Sequence, residues 1–188
     1  MKKILTTALI ATLITTAADA RRDDLYIGFR GEFLSSDISY YGHNVASPTG
    51  VGFGITIGSQ YWQTDWIYLR SGLELSYRDM SDFRSYGFVQ NVYMDIGLDE
   101  WTVRPYIGVG AGFRFMSLPD TPATGAGDDF GGGLVFVART GITYELTERF
   151  KMDVGVLWDT TWSFDDWRTN NIGAYVGVRW HFGQSRFW

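Results

Sequence analysis

The chain has 188 residues, 45% hydrophobic and 17% aromatic, with a formal charge of −5 and no cysteine. That length suits one domain, and the modest acidic balance speaks against a nucleic-acid partner. The lack of cysteine excludes disulfides, thiolate metal sites and cysteine nucleophiles.

In chain order, Lys2 and Lys3 precede an apolar, Thr-rich stretch from Ile4 to Ala17. It is shorter than the roughly 20 residues a helical span needs. Ala18-Asp19-Ala20 is a small-x-small cleavage signature, so residues 1–20 are expected to form a signal peptide and 21–188 the mature domain. No cysteine follows the apolar stretch, so no lipidated N-terminus is expected. No later apolar run reaches helical span length. Any membrane insertion must then be by strands, because only helices and closed barrels satisfy every backbone polar group in lipid.

Eight segments then alternate between apolar and small or polar residues, the period of strands with two unlike faces. The first is Asp24–Phe33, with Arg30 and Glu32 on its polar face. The second, Val51–Trp62, sets Phe53, Ile55 and Ile57 against Gly52, Gly54 and Gly58. The third, Trp66–Arg78, carries Arg70 and Glu74 opposite Leu69, Leu73 and Leu75. The fourth, Tyr86–Leu98, carries Asn91, Tyr93 and Asp95. The fifth, Thr102–Phe115, sets Arg104, Gly108, Gly110 and Gly112 against Val103, Ile107 and Val109. The sixth, Gly133–Leu146, carries Arg139 and Glu145, and the seventh, Phe150–Trp158, carries Lys151 and Asp153. The eighth, Asn171–Phe182, alternates most strictly: Ile172, Ala174, Val176, Val178, Trp180 and Phe182 oppose Gly173, Tyr175, Gly177, Arg179 and His181.

Between them, long polar connections (34–50, 79–85, 116–132, 159–170) alternate with tight turns (63–65, 99–101, 147–149). The expected fold is therefore all-β: an eight-stranded antiparallel up-and-down transmembrane barrel with four long outside loops and three short periplasmic turns. Both termini would face the periplasm, in the outer membrane of a Gram-negative bacterium. A soluble, lipocalin-type barrel with an apolar lumen shows the same alternation, and three observations oppose it. The many aromatic and aliphatic side chains of the apolar face exceed what an eight-stranded lumen can hold. The other face mixes arginine and glutamate with glycine, which makes room for a large neighbour in a narrow lumen and has no use on an exposed face. Aromatic residues also fall in two bands: Trp62, Trp66, Trp101, Phe150, Trp180 and Phe182 beside the short turns, and Phe33, Tyr77, Phe115, Trp158 and Trp162 at the other end. Interfacial girdles of a membrane barrel look like this.

Arg104-Pro105-Tyr106-Ile107-Gly108-Val109-Gly110-Ala111-Gly112 resembles the fifth-strand motif of small eight-stranded outer-membrane proteins. The stretch from Gly141 to Phe150 resembles their sixth strand, turn and seventh strand. The likeness, over essentially the whole mature chain, is to OmpA-like and opacity-protein-like barrels of the porin family. It implies lipids and lipopolysaccharide as surroundings, periplasmic chaperones and the barrel-assembly machinery as partners, and a surface ligand met through the outside loops. Tyr175, Gly177, Trp180 and Phe182 resemble the terminal signal that this machinery reads. Larger OmpA proteins carry a peptidoglycan-binding domain after the barrel; here residues 183–188 follow the last strand, so cell-wall tethering is not expected to carry over.

The inward-facing charges are the strongest constellation: Arg30, Glu32, Arg70, Glu74, Asp95, Arg104, Arg139, Glu145, Asp153 and Arg179, with Lys151 and His181. In a narrow lumen they must pair. They are expected either to plug the barrel or to act as the ion pairs of a gated small channel. A lipid-modifying enzyme needs a nucleophile, base and orienting group together; His43 and His181 fall at opposite ends, and the His-x-Ser pattern of lipid A deacylase barrels is absent. Loop aspartates lack the spacing of a calcium loop, and no cofactor is expected. Tyr40, Tyr41, Phe130, Trp162, Phe164 and Trp167 are expected in the outside loops, either on the membrane interface or facing a ligand. The expected role is structural or adhesin-like, with a small uptake channel as the alternative.

Overall fold

Each of eight strands hydrogen-bonds a neighbour on both sides, so the barrel they form has no open edge. The computed structural model describes residues 25–40, 42–81, 83–98, 100–117, 130–163 and 167–182; the expected signal peptide lies outside them. The strands are β1 (Leu25–Tyr40), β2 (His43–Ala46), β3 (Thr49–Gln63), β4 (Ile67–Met80), β5 (Phe83–Ile96), β6 (Val103–Ser117), β7 (Phe130–Glu145), β8 (Phe150–Ser163) and β9 (Trp167–His181). Eight of them pair antiparallel in sequence order and β9 closes on β1, from Tyr26 opposite His181 to Tyr40 opposite Trp167. Burial alternates residue by residue, with the apolar face outward: Phe29, Phe33, Ile57, Leu75, Val109, Val156 and Ile172 are exposed while Arg30, Glu32, Glu74 and Arg139 are buried. A soluble barrel would show the reverse.

The register fixes the dimensions. Following paired residues around the barrel from Tyr26 leads through Gly58, Gly72, Asn91, Gly110, Val137, Asp159 and Asn171 back to Ser36, ten residues up the starting strand. With about 3.3 Å rise per residue and about 4.8 Å between strands, that stagger tilts the strands by about 40° and sets a backbone radius of about 8 Å. Only side chains fit within it.

Strands extend further outward than the alternation alone marks. The barrel strands have 14–16 residues, about 35–40 Å of axial height at that tilt, against an apolar band about 25 Å tall. Of the expected connection 79–85, residues 79–80 and 83–85 belong to strands, and Ser81 stands in the turn at φ 59°. The cause is solvent: beyond the bilayer both faces of a strand carry polar residues, as in Ser35-Ser36-Asp37 and Asp159-Thr160-Thr161, so the period-2 signal fades while the backbone ladder continues. The short β2, which the alternation did not reveal, folds back along the end of β1, pairing Ala46 with Ile38 and His43 with Tyr40. Pro48, which lacks an N–H to give a ladder, lies between β2 and β3; its carbonyl accepts from Ser36 N at 2.9 Å.

The two aromatic bands fall at the right separation. On β8, Phe150 is followed by exposed Trp158 and Trp162, eight and twelve residues on. That is about 20 and 30 Å of axial height, bracketing the apolar band. Near the short turns, Trp66, Trp101, Trp180 and Phe182 are exposed; Phe33 and Phe115 are exposed at the other end.

Candidate functional site: a layered lumen and two barrel ends

Because the register climbs around the barrel, inward residues from distant sequence positions share one level. Four levels of polar side chains and one apolar level result. Lowest, toward the periplasm, Glu145 Oε1 accepts from Arg104 Nη1 and from Lys151 Nζ, each at 2.6 Å, and the Arg104 guanidinium lies 4.4 Å from the Tyr68 ring centre. His181 sits here, 8% exposed, with its ring 5.4 Å from that of Tyr26. One level up, Arg70 donates to both oxygens of Asp95 at 2.7 and 3.0 Å. Across the lumen, Arg179 Nη2 donates to Asp153 Oδ1 at 2.9 Å, and Thr143 Oγ1 donates to the same oxygen at 2.6 Å.

At mid-height, Glu74 of β4 receives a bidentate pair from Arg139 of β7, both bonds 2.9 Å, and a second pair from Arg30 of β1. Arg30 Nη2 also donates to Glu32 at 3.1 Å. Arg139 Nη1 further donates to the Tyr93 hydroxyl. Three strands that are not neighbours are thus joined through one carboxylate. Above it, Arg78 donates to Glu32 and pairs with Asp159 at 2.7 Å, while Arg114 and Asn171 donate to the same Asp159. These charged residues are all less than a tenth exposed except Glu145 and Lys151, which lie nearest the periplasmic end.

All ten sequence-predicted lumen residues lie inward and take part in ion pairs: Arg30, Glu32, Arg70, Glu74, Asp95, Arg104, Arg139, Glu145, Asp153 and Arg179. The upper cluster of Arg78, Arg114 and Asp159 was missed as a site. Arg78 and Arg114 already fall on the polar faces of the third and fifth expected strands, and Asp159 lies one residue past the expected end of the seventh, so the signal was there.

Between the charged levels runs a belt of tyrosines and glycines. Tyr26, Tyr93, Tyr106 and Tyr175 are buried, and the Tyr106 and Tyr175 hydroxyls are hydrogen-bonded to each other. A methyl group added at Gly58 or Gly72 would collide with Tyr26, one at Gly108 with the Tyr93 ring, and one at Gly141 or Gly155 with the Tyr106 hydroxyl. These glycines make room for a large neighbour, and at this level that neighbour is tyrosine. A cavity of about 30 Å³ lies at this level, lined by Tyr26, Arg70, Tyr93, Tyr106, Asp153 and Tyr175 among others. It has room for one or two waters.

Toward the outer end the inward side chains become apolar. Ile38, Met80, Phe83 and Trp167, from four strands, form an apolar cluster over the upper charges, with Tyr40 and Ala46 packed against it. This corrects one expectation: Trp167 is 9% exposed with its ring 4.5 Å from that of Tyr40, so it packs on the inner face of the strand instead of lying in an outside loop. The strand begins four residues earlier than expected, at Trp167 and not Asn171, and its inward alternation carries Trp167 with it. Trp162 is exposed on the outer surface, with the Arg168 guanidinium 5.9 Å from its ring centre. Tyr41 and Phe164, and the side chain of Phe130, lie outside the described residues.

His43 pairs with Tyr40 and His181 with Tyr26, about 46 Å apart along β1 at 3.3 Å per residue. They cannot serve one site. Among the described residues no group of three or more histidines or carboxylates is placed to hold a metal ion.

The residues resembling an insertion signal divide between faces. Tyr175 and Gly177 point inward, Trp180 and Phe182 outward. Phe182 N donates to Leu25 O at 2.9 Å, and the Trp180 ring lies 6.1 Å from Phe150. Phe182→Ala is expected to lower outer-membrane insertion while truncation after Phe182 preserves it, read as the folded, heat-modifiable fraction on a gel. Equal folded fractions in both would reject a role for this aromatic.

A closed eight-stranded barrel, apolar outside, aromatic at both rims and ion-paired within, defines a transmembrane barrel of the outer-membrane type. The family described as outer membrane protein beta-barrel domain matches residues 5–182, and the chain belongs to it; it is an outer-membrane protein. Among solved structures, Neisserial surface protein A (NspA) is similar at 21% identity and a TM-score of 0.60, covering 83% of this chain and 97% of that one. The N-terminal barrel of Pseudomonas aeruginosa OprF follows at 18% identity, TM-score 0.51, covering 81% and 97%. The outer membrane enzyme PagL is similar at 14% identity, TM-score 0.50, covering 79% and 97%. At these identities the likeness concerns the fold. A comparison with curated protein sequences gives no significant match.

Proposed function

We propose that the protein is a non-catalytic surface barrel whose lumen is plugged by its own side chains and whose role, structural or adhesive, is exerted at its outer end. The observation that carries the reading is the bridge from Arg30 through Glu74 to Arg139, which joins β1, β4 and β7 across the lumen. A passing ion would have to break charge-assisted bonds in a poorly hydrated space. The apolar cluster around Trp167 supports the same reading from the outer side. With no path through the barrel, the parts that can meet a partner are the strand tips and the connections that project beyond the lipid. The wide separation of His43 and His181 supports the non-catalytic part.

Reconstituted in a planar bilayer, the folded barrel is expected to leave the membrane at its baseline conductance, and Glu74→Gln is expected to leave it unchanged. Steady unitary currents that alter on that substitution would instead make it a small gated channel. For the surface role, bacteria displaying the barrel with residues 118–129 replaced by a short Gly-Ser turn are expected to lose adherence to immobilised matrix proteins while the barrel still folds. Unchanged adherence would reject that connection as the contact, and acyl release from lipid A by the purified barrel would overturn the non-catalytic reading.

A further inference from the structure

The upper lumen carries an excess of positive charge. Arg30, Arg78, Arg114 and Arg139 share three carboxylates, Glu32, Glu74 and Asp159. All seven are buried, and arginine does not discharge by losing a proton. An uncompensated buried charge is costly, so a cluster of this kind calls for a counter-charge.

The geometry shows where one fits. Arg78 Nη1 and Arg114 Nε are buried donors without a partner, and so is the Ser85 hydroxyl. The three belong together: Ser85 is the cross-strand partner of Arg78, and Gly87, two residues along the same inner face, is the partner of Arg114. Gly87 has no side chain, and the point where its Cβ would stand lies 3.6 Å from Arg114 Nε and 3.8 Å from Arg114 Nη2, with the Ser76 hydroxyl at 2.5 Å. One guanidinium edge, that of Arg114, and one hydroxyl, that of Ser76, thus lie over the inner face of Gly87, while Arg78 is held on the same level because it shares Asp159 with Arg114. Arg78, Arg114, Ser76 and Ser85 are each less than a tenth exposed. The apolar cluster of Ile38, Met80, Phe83 and Trp167 lies above and separates this place from the outer solvent.

We propose that Arg78, Arg114 and Ser85, over Gly87, form a buried binding site for a small monovalent anion of halide type. Charge selects an anion over a cation. The limited volume of the lumen selects a halide over larger oxyanions, and the apolar cluster above makes it a structural ion taken up on folding and exchanged slowly.

The test uses the whole folded barrel. Refolded and crystallised in sodium bromide, it is expected to show an anomalous peak within hydrogen-bonding reach of Arg78 Nη1 and Arg114 Nε. Its thermal midpoint, read from heat-modifiability, is expected to rise with chloride concentration and not with gluconate at equal ionic strength, because binding to the folded state alone stabilises it. Arg114→Met removes one donor and balances the cluster at three against three. It is expected to fold, lose the bromide peak and lose the chloride dependence. Ser85→Ala, which leaves the charges intact, is expected to weaken the dependence without abolishing it. An ordered water in place of bromide, or equal midpoints in chloride and gluconate for the unaltered chain, would overturn the proposal.

Discussion

Glu74→Ala is expected to destabilise the folded barrel by about 3–5 kcal/mol, the range for removing one partner of a buried ion pair. The magnitude follows from what is left behind. Arg139 loses both of its bonds to the carboxylate and keeps only the Tyr93 hydroxyl, while Arg30 keeps Glu32. A guanidinium stranded in a lumen of about 8 Å radius cannot reach bulk water. Urea titration of the folded fraction measures the loss. The double substitution Glu74→Met with Arg139→Met is expected to recover most of it, because a buried pair exchanged for apolar side chains of similar volume is close to neutral. A single Glu74→Ala variant within 1 kcal/mol of the unaltered chain would mean that the lumen is wet enough to solvate the arginines, which would also undercut the plugged reading.

The second large effect is steric. Gly108 is the cross-strand partner of Tyr93, and a side chain at 108 would run into the Tyr93 ring. On its lumen side that ring lies 4.1 Å from the Arg70 guanidinium, and its hydroxyl accepts from Arg139. It has no free direction in which to retreat. Gly108→Val is therefore expected to cost about 2–4 kcal/mol, from overpacking together with loss of the charge-assisted bond to Tyr93. Adding Tyr93→Ala returns the space. The double variant is expected to be more stable than the sum of the single effects by at least about 1 kcal/mol, a coupling that contacting residues show and distant ones do not. Strict additivity would mean that the ring and the glycine do not share the space.

Much of this architecture was legible in the residues because a transmembrane barrel imposes a simple demand. Every second residue must suit lipid, so Val109 and Ile107 outward with Gly108 and Gly110 inward read directly as a strand. The aromatic bands and the inward charges read as rims and lumen for the same reason. Strand ends were less legible. Past the membrane there is no lipid to enforce the period, and Ser35, Asp37, Asp159 and Thr161 continue strands without announcing it. Asp159, which pairs with Arg78 and Arg114, was missed on that account, and Trp167 was expected in an outside loop although it lies on the inner face of β9.

Which inward residue meets which was beyond the reach of the sequence. Alternation gives each side chain a face, but its level depends on the stagger accumulated around the closed barrel, and that sum exists only once β9 has paired with β1. Tyr26 lies beside Gly58 and Gly72, Glu74 between Arg30 and Arg139, and Asp159 between Arg78 and Arg114 because the register climbs ten residues in one circuit. The amino-acid sequence by itself determined that the chain crosses a membrane in strands, which face meets lipid and that the lumen is charged, since each is a local choice repeated every second residue. The tertiary structure alone decided the partners within the lumen, the glycine belt around the tyrosines and the apolar cluster at the outer end, because these are long-range consequences of closure.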